Sequence, residues 1–530
     1  MTDTYRSDLD GAALAEFIDR TSTSLDALAP FLDDLNALRG SDFDTGTNAA
    51  RSLAAIKRMI DRSGGAPDSA AATLEALTVY SRSAAQGHVG LLITNVLAAL
   101  AKVTNHETIR PIDLRAFLAS LPETIEESFS QPASELMDMA NAAAEVARNT
   151  PDPIDAVHIM IGHASMVSQD ALIEATSGWI NPGACVLSVM ISALHSVYEQ
   201  SGNPLSVVQD MMRSLAETAT GLRKDSPEPH KGAEFSVDFH VDFMREDFEE
   251  FRQMLTDHQL RYSLQGSADA LGMGTWRFHI DTATPSSVLP RTGWVRHIVV
   301  KDARYGELIG YDELEVQQEA SGVLYLSRPT WQRPETVRVI ALLRHEHFLE
   351  EVASTGAHVV LNPISQDAVV ISELMLSAPA GVSLVLAADE EAGQVARRAE
   401  KLAKQSRDIV VVKDEYPLSD VAVSVCAAEA APIFMPQVGD RTQSVTTSLL
   451  ESSARRAKAR VAILDDLNPD TVNNQLVQLI GYGLERVIMM TPKPDPLLRH
   501  AIEMALEQRN ASTFIEDVRA EPAQVVLVNG

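Results

Sequence analysis

The chain has 530 residues, of which 45% are hydrophobic and 22% are charged, and its formal net charge is −29. This length predicts roughly two to four domains, the hydrophobic share excludes a disordered chain, and the negative charge disfavours nucleic acid as a main partner. The sequence has no apolar run of the roughly 18–20 residues that a membrane span needs, so we expect no transmembrane segment. The N-terminal stretch MTDTYRSDLDG does not have the pattern of a secretory signal, and the chain has only two cysteines. We therefore expect a cytoplasmic protein.

The first 222 residues are predicted to form helix after helix. Apolar residues recur there at helical spacing, as at Leu14, Phe17 and Ile18. Short connections marked by Gly or Pro join the segments, which is typical of an antiparallel helical bundle or barrel. The predicted helices cover residues 9–38, 48–63, 67–83, 88–104, 112–121, 131–148, 155–176, 183–201 and 204–221.

Two further domains are predicted after the polar stretch RKDSPEPHK at 223–231. Residues 232–325 form a small α+β domain, in which FSVDFHVDF (235–243) and TWRFHID (275–281) alternate like half-buried strands around a helix at 247–258. Residues 334–530 alternate apolar runs with helices such as 391–405, which predicts an α/β domain with a mostly parallel sheet. Its predicted strands are 337–343, 357–361, 382–388, 408–412, 460–464, 486–490 and 524–529.

The loop SDFDTGTN at 41–48 is the first candidate site. Asp42 and Asp44 lie two residues apart in irregular backbone, so both carboxylates can point to one side and bind a hard cation. The following T-G-T-N adds hydroxyl and amide groups and a glycine that permits close approach of a ligand, and the next helix start offers N–H groups to a phosphate. The alternative is an ordinary turn with a helix cap.

Other nucleotide and metal motifs do not fit this chain. An EF-hand loop that began at Asp42 would need an acidic residue at position 53, which is Leu53, and the sequence contains no Walker A motif. ATP would therefore be bound through magnesium held by carboxylates on a helical scaffold.

The pattern Asn36…Asp42-x-Asp44-Thr-Gly-Thr-Asn48 after a long first helix resembles the nucleotide-binding domain of the dihydroxyacetone kinase L-subunit family, and most of all its fatty acid kinase branch. The resemblance keeps its order along nearly the whole chain. The other segments that carry it are AAQGHVGLLITNVL (84–97), QPASELMDMANAAAEVA (131–147), SGWINPGACVLSVM (177–190), RFHIDTATP (277–285) and GAHVVLNPISQDAVV (356–370).

This resemblance implies an eight-helix barrel that binds Mg-ATP, with catalytic Asp42 and Asp44 as the magnesium ligands. It implies transfer of the γ-phosphate to the carboxylate of a fatty acid carried by a separate DegV-type fatty-acid-binding protein, which gives an acyl phosphate. It also implies a DegV-like C-terminal domain that docks this partner, and a homodimer. The residues that it assigns to the nucleotide are Thr45, Gly46, Thr47, Asn48, Gly87, His88, Gly90, Asn181 and Gly183.

Several residues depart from the family's pattern at the nucleotide site. Phe43 stands in place of the glycine between the two acids, and Asn181 stands in place of an aspartate. His88 and Val89 replace an Asn-Ser pair, so a hydroxyl that would face the phosphate is missing, and His88 either replaces that donor or caps its helix.

The α+β domain departs from the family as well. The family's second histidine is Asp281 here, and the expected cysteine corresponds to Gly232. The zinc or histidine site of the family is therefore expected to be absent or altered, and His279 is interpreted as a structural residue rather than a functional one.

Three functional hypotheses remain at this point. The first is a divergent kinase subunit, favoured by the retained D-x-D-T-G-T-N. The second is a catalytically degenerate relative that binds nucleotide, regulates or serves as a scaffold, favoured by the lost polar groups. The third is a kinase of a small triose or polyol such as dihydroxyacetone.

Overall fold

The computed structural model describes two compact units, Met1–Arg296 with Ala303–Trp331 and His297–Asp302 with Gln332–Gly530. The helical and α+β regions, which the sequence assigns to separate domains, belong to the first unit. Among the helices that the structure describes, none is both long enough and apolar enough to cross a bilayer. The described residues are 5–6, 8–37, 44–151, 157–173, 180–200, 233–303, 316–318, 324–326, 338–378, 382–406, 409–413, 419–434, 443–480, 483–521 and 523–529.

The helical region follows the predicted order of helices. The predicted helix at 204–221 and the stretch 223–231 lie outside the described residues. The helices are α1 (Gly11–Ala37), α2 (Thr45–Arg62), α3 (Ala70–Ala84), α4 (Gly87–Val103), α5 (Pro111–Ser128), α6 (Ser134–Asn149), α7 (Val157–Ile173) and α8 (Pro182–Glu199).

Helix α8 is the central helix of this region. Each helix packs on the next one in sequence, α8 packs on α1, and α8 also contacts α2, α4 and α6. Most of its residues, from Ala184 to Tyr198, are buried. A helix that is apolar on all sides needs neighbours on all sides, and the surrounding helices supply them.

Two of the differences between predicted and observed helix boundaries have a structural cause. Helix α2 begins at Thr45 rather than Asn48, so the T-G-T-N residues form its first turn instead of a loop, because Asp33 of α1 binds the N–H of Thr47 at 2.9 Å. Helix α5 runs through Pro122 to Ser128, beyond the predicted end at 121. Buried apolar residues on both sides of this proline continue one packed face, so tertiary packing outweighs the lost hydrogen bond.

The α+β part of the first unit is an antiparallel sheet with strand order β2-β3-β1. One face is aromatic: Phe278 lies 5.5 Å from Phe239 and 5.2 Å from Phe251 of α9 between ring centroids. The alternation predicts that the polar face is solvated, but α4 and α5 cover it. The elements are β1 (Phe235–Met244), α9 (Arg245–Asp257), β2 (Arg261–Ala268), β3 (Met273–Thr282), a 3₁₀ turn (Pro285–Val288), β4 (Trp294–Asp302), β5 (Val316–Gln318) and β6 (Leu324–Leu326).

The second unit begins with a mostly parallel set of strands, as predicted. The order is β10-β9-β7-β8, all parallel, and residues 298–300 of β4 pair antiparallel with β8. The elements are β7 (Arg338–Leu343), α10 (Leu349–Ala353), β8 (His358–Leu361), α11 (Ala368–Leu376), β9 (Val382–Ala387), α12 (Glu390–Lys404), β10 (Val410–Lys413) and α13 (Asp420–Phe434).

The last part of the chain forms a separate mixed sheet, which the sequence did not distinguish from the first. Its order is β11-β14-β12-β13, where β14 lies antiparallel between β11 and β12, and β12 is parallel to β13. Apolar runs predict strands but not their direction or partners, so the prediction of one mostly parallel sheet was too simple. The elements are α14 (Gln443–Arg460), β11 (Val461–Leu464), α15 (Pro469–Leu479), β12 (Leu484–Thr491), α16 (Pro496–Gln508), β13 (Ile515–Arg519) and β14 (Gln524–Asn529).

Candidate functional site

The start of α2 contains the described part of the acidic motif. Asp42 and Phe43 lie outside the described residues. Asp44 is the N-cap residue of α2, and its carbonyl accepts the N–H of Asn48 at 2.7 Å. Its carboxylate makes no capping bond to the helix. Asp44 therefore occupies the cap position, but its side chain does not cap the helix as the turn-and-cap alternative expects.

The middle of the motif faces α1. Thr47 is buried, and its N–H and hydroxyl both donate to the carboxylate of Asp33. A Cβ on Gly46 would lie 2.2 Å from the carbonyl oxygen of Ala29. Gly46 thus lets α2 approach α1 closely, and the hydroxyl of Thr47 has a structural partner.

The start of α4 lies against the start of α2. Gly87 has a φ of +66°, and a Cβ there would lie 2.6 Å from Nδ2 of Asn48. A Cβ on Gly90 would lie 2.8 Å from Oγ of Ser52, which also accepts the N–H of Gln86 at 3.0 Å. Both glycines therefore permit close contact between α2 and α4. At Gly87 the positive φ also favours glycine, because other residues adopt it only with strain.

The start of α8 lies at the same end of the helical region. The Asn181 side chain caps α8 by accepting the N–H of Ala184 at 3.0 Å. A Cβ on Gly183 would lie 3.8 Å from Cδ2 of Leu92 in α4. We call Asp44–Asn48, Gly87–Gly90 and Asn181–Gly183 the helix-start site. Three helix N-termini present partial positive charge there, which favours an anionic ligand.

His88 belongs to α4 but its side chain turns away from the helix-start site, towards the sheet. Its Nε2 lies 2.9 Å from Oδ2 of Asp281, and its Nδ1 lies 2.9 Å from Oγ of Ser263. A carboxylate can only accept, so Nε2 carries the proton and Nδ1 accepts from the serine hydroxyl. The ring neither caps α4 nor points at a phosphate in this arrangement.

His279 completes the group that we call the sheet cluster, which consists of His88, Asp238, Ser263, His279 and Asp281. His279 Nδ1 lies 3.0 Å from Oδ2 of Asp238, and its Nε2 lies 3.6 Å from Oδ1 of Asp281. Alternate residues of a strand share one face, and His279 lies opposite Asp238 on β1 and Ser263 on β2. Strand register therefore assembles the cluster, and α4 adds His88.

The two histidines of the sheet cluster differ in charge. Burial lowers the pKa of His88 to about 4, with the neighbouring His279 acting in the same direction, so this ring is neutral. Burial alone would lower the pKa of His279, but the carboxylates of Asp238 and Asp281 outweigh it and raise the pKa to about 10. Burial would raise the pKa of Asp281, yet the two imidazoles hold it well below its usual value. His279 is thus an imidazolium between two carboxylates at neutral pH.

Arg277 connects the sheet to the start of α4. This buried guanidinium donates to the carbonyls of Arg82 and Ala85, just before α4, and lies 3.3 Å from Oδ1 of Asp238. Asn95 of α4 also donates to the carbonyl of Leu264 at 3.0 Å. These bonds position the backbone from which Gly87 and His88 project.

Residues 44–48, 87, 90, 181 and 183, which the sequence analysis singled out, lie together in the helix-start site. His88 and His279 belong to the sheet cluster instead. His88, His279 and Asp281 offer ligand atoms that all lie within 4.8 Å of one another, so these residues could hold a metal. Sequence reasoning missed Asp238, Ser263 and Arg277. The polar residues that alternate along β1 and β3 were the available signal, but they equally predict a solvated face.

No protein-family model matches the chain, and no curated protein matches its sequence.

Proposed function

We propose that this chain is an ATP-dependent kinase subunit whose helical region is the Mg-ATP-binding, eight-helix barrel domain that the resemblance describes. One observation carries the proposal: the starts of α2, α4 and α8 lie at one end of the region, with the acidic residue Asp44 at the cap position of α2. Helix starts bind phosphates through backbone N–H groups, and carboxylates bind Mg²⁺.

Each residue of the helix-start site has a role in this proposal. Asp42 and Asp44 hold the cation, and the first turn of α2, which contains Thr45 and Asn48, binds the phosphates. Gly87 and Gly90 keep α4 close to α2 so that its backbone also reaches them. Asn181 and Gly183 border the base. Bound magnesium would bridge the phosphates and offset the charge that develops in transfer.

The proposed acceptor is the carboxylate of a fatty acid presented by a DegV-type fatty-acid-binding protein. A carboxylate oxygen bonds to the γ-phosphorus while the bond to the β-phosphate oxygen breaks, which gives an acyl phosphate and ADP. This acceptor, docking of the partner on the C-terminal α/β region, the homodimer and the cytoplasmic location rest on the resemblance. Both cysteines are buried and outside any disulfide among the described residues, which is compatible with a reducing compartment.

A second candidate is a catalytically degenerate protein that binds nucleotide without turnover. The orientations of His88 and Thr47 favour it, because both side chains bond to protein groups instead of facing the helix-start site. The two candidates share nucleotide binding and differ in transfer, so they separate experimentally.

The test is calorimetric titration of the full chain with ATP, with and without Mg²⁺. We expect magnesium-dependent binding in the wild type and its loss in Asp42→Ala/Asp44→Ala. The matched control is Asp61→Ala/Asp68→Ala, which removes two exposed carboxylates near the other end of α2 and leaves binding unchanged. Absence of any heat at millimolar ATP would reject both candidates. Binding without hydroxylamine-trappable acyl phosphate, when an acyl-loaded DegV-type protein is supplied, would favour the degenerate one.

A further inference from the structure

We infer that the cavity at the carboxyl ends of β12 and β13, in the last sheet of the chain, binds an organic phosphate: a phosphate monoester with an apolar body. The inference does not depend on the proposed kinase function, because the helix-start site belongs to the other compact unit. The cavity has a volume of about 520 Å³, within the range of about 300–1,000 Å³ that is typical of sites for small molecules. Its lining includes Met489, Thr491, Lys493, Arg499, Asp517 and Arg519.

Two parallel strands form the floor of this cavity. Met489 pairs with Asp517, and Thr491 pairs with Arg519, in the register of β12 and β13. Alternate residues of a strand share one face, so these four side chains lie on the same face of the sheet. Ligands of α/β sheets bind outside the carboxyl ends of the strands, and Thr491 and Arg519 are the last residues of their strands.

Thr491 offers a hydroxyl group to a ligand. The residue is 8% exposed and lines the cavity. Its carbonyl accepts the N–H of Ala520 at 3.1 Å, but its hydroxyl has no hydrogen-bond partner among the residues that the structure describes. Buried hydroxyl groups are nearly always hydrogen-bonded to protein or to a bound molecule. A phosphate oxygen would accept the hydrogen bond that Thr491 can donate.

Both acidic residues at the cavity are already engaged by the protein. Asp517 of β13 forms an ion pair with Arg499 of α16. Asp495 caps α16, since its carboxylate accepts the N–H of Leu497 at 3.1 Å and that of Leu498 at 3.0 Å. The first N–H groups of α16 are thus taken, and side chains have to recognise the ligand.

Two cationic side chains at the cavity have no such partner. Lys493 lies between β12 and α16, and Arg519 ends β13; neither side chain forms an ion pair or hydrogen bond with another described residue. Two unpaired cations match the charge of about −1.5 to −2 that a phosphate monoester carries at neutral pH. A guanidinium also binds phosphate oxygens in pairs. A carboxylate ligand would leave one of the two cations without a counter-charge.

The remaining walls are apolar and their backbone is restrained. Met489 is buried, and the loop TPKPDP at 491–496 brings Pro492, Pro494 and Pro496 to the cavity. Proline rings fix φ, so this loop loses little conformational freedom when a ligand binds. The phosphate would face Thr491 and the two cations, while the apolar body of the ligand would contact Met489 and the prolines.

The test is calorimetric titration of the full chain with phenyl phosphate in the absence of Mg²⁺. We expect binding at millimolar concentration or below, and weaker binding of benzyl alcohol, phenylacetate and inorganic phosphate, which lack the phosphate, its second charge or the apolar body. Methyl NMR of the methionines locates the probe: the signal of Met489, identified with Met489→Leu, should shift during the titration.

Lys493→Gln/Arg519→Gln should weaken phenyl phosphate binding about 10-fold or more, because charged hydrogen bonds are lost. The matched control, Lys401→Gln/Arg455→Gln, removes the same charge at exposed positions outside the cavity and should bind as the wild type does.

Thr491→Val keeps the shape of the side chain and should weaken binding about 2- to 10-fold, and Thr491→Ser should restore it. The inference is overturned if the Met489 signal does not move at millimolar phenyl phosphate, if benzyl alcohol, phenylacetate or inorganic phosphate binds as tightly as phenyl phosphate, or if Lys493→Gln/Arg519→Gln binds as the wild type does.

Discussion

The helix-start site and the sheet cluster lie on opposite sides of the first turn of α4 and are built on different principles. The helix-start site consists of short sequence motifs at the starts of three helices. The groups that it offers to a ligand are backbone N–H groups and the Asp44 carboxylate. The sheet cluster consists of single side chains from one helix and three strands, each bonded to another member.

This difference matters because the two places meet at consecutive residues of α4, Gly87 and His88. Gly87 contacts Asn48 of the helix-start site, while the next residue, His88, bonds to Ser263 and Asp281 of the sheet cluster. Buried side chains that bond to one another stabilise the fold, whereas backbone N–H groups at helix starts are suited to binding an anionic ligand. We therefore expect changes in the cluster to affect stability most, and changes in the helix-start site to affect ligand binding most.

The largest effect is expected from Asp281→Ala. This change leaves the Nε2–H of His88 without its acceptor and removes one of the two carboxylates beside the buried His279. Loss of one partner from a buried ion pair costs about 3–5 kcal/mol, so the free energy of unfolding in urea should fall by that amount. Asp257→Ala, at an exposed carboxylate of α9, should change it by less than about 0.5 kcal/mol. A loss below about 1 kcal/mol for Asp281→Ala would contradict the description of the cluster as a stabilising network.

A somewhat smaller effect is expected from Gly87→Ala, with Gly64→Ala as its control. Both glycines have positive φ, +66° and +89°, but only Gly87 has an atom of another residue within reach of an added Cβ. Gly64→Ala should cost about 1–2 kcal/mol from backbone strain. Gly87→Ala should cost about 1–3 kcal/mol more, because the methyl group displaces the amide of Asn48, and it should weaken ATP binding if the proposed function holds. Urea unfolding of the two variants measures the difference, and equal losses would mean that the close approach of α2 and α4 carries no energy.

Thr47→Val tests whether Thr47 is structural. The hydroxyl donates to buried Asp33, which loses this donor and keeps the N–H of Thr47 after the change. A buried acceptor that loses a donor costs about 1–3 kcal/mol, and Thr47→Ser should restore most of it because the hydroxyl returns. Thermal and urea unfolding measure the loss. If Thr47→Val were neutral for stability but abolished nucleotide binding, the hydroxyl would be a ligand group instead.

The last prediction concerns the reactivity of the Cys185 thiol. It requires no substitution and therefore no change in stability. It lies in the first turn of α8, where a helix start lowers the pKa of a thiol, but burial raises the pKa of Cys185 to about 12. At pH 8 roughly one such thiol in ten thousand is ionised, so a disulfide reagent should react with it only after unfolding. Cys426 is also buried, and both thiols should react in urea. Rapid reaction of one thiol in the native protein would indicate that the start of α8 opens.

Much of the helical region follows from local sequence, because apolar residues at helical spacing require a helix that buries them. The order of α1 to α8 was predicted on this basis, as were the strands β1 and β3. Boundaries were less predictable: the start of α2 depends on Asp33, and the extension of α5 past Pro122 depends on packing. Both causes are contacts made with other parts of the fold.

The residues of the helix-start site could be singled out from the sequence because each of its parts is a short contiguous motif that a family resemblance can mark. The sheet cluster could not, since its members are separated by up to 193 residues along the chain. His279 was singled out as a structural candidate, and Asp281 was noted as a departure from a family pattern, but the role of His88 beside them depends on how α4 packs on the sheet. Alternation of polar and apolar residues in a strand predicts that one face is polar, but it does not predict which element covers that face.

The sequence by itself determined the helices and strands, the acidic motif before α2 and the polar face of β1 and β3, because these properties are carried by residues close together in the chain. The tertiary structure decided that Thr47 and Gly46 face α1, that α2, α4 and α8 begin together, and that His88 meets His279 and Asp281. These outcomes come from burial and strand register, which bring distant residues into contact, and local patterns carry no information about such partners.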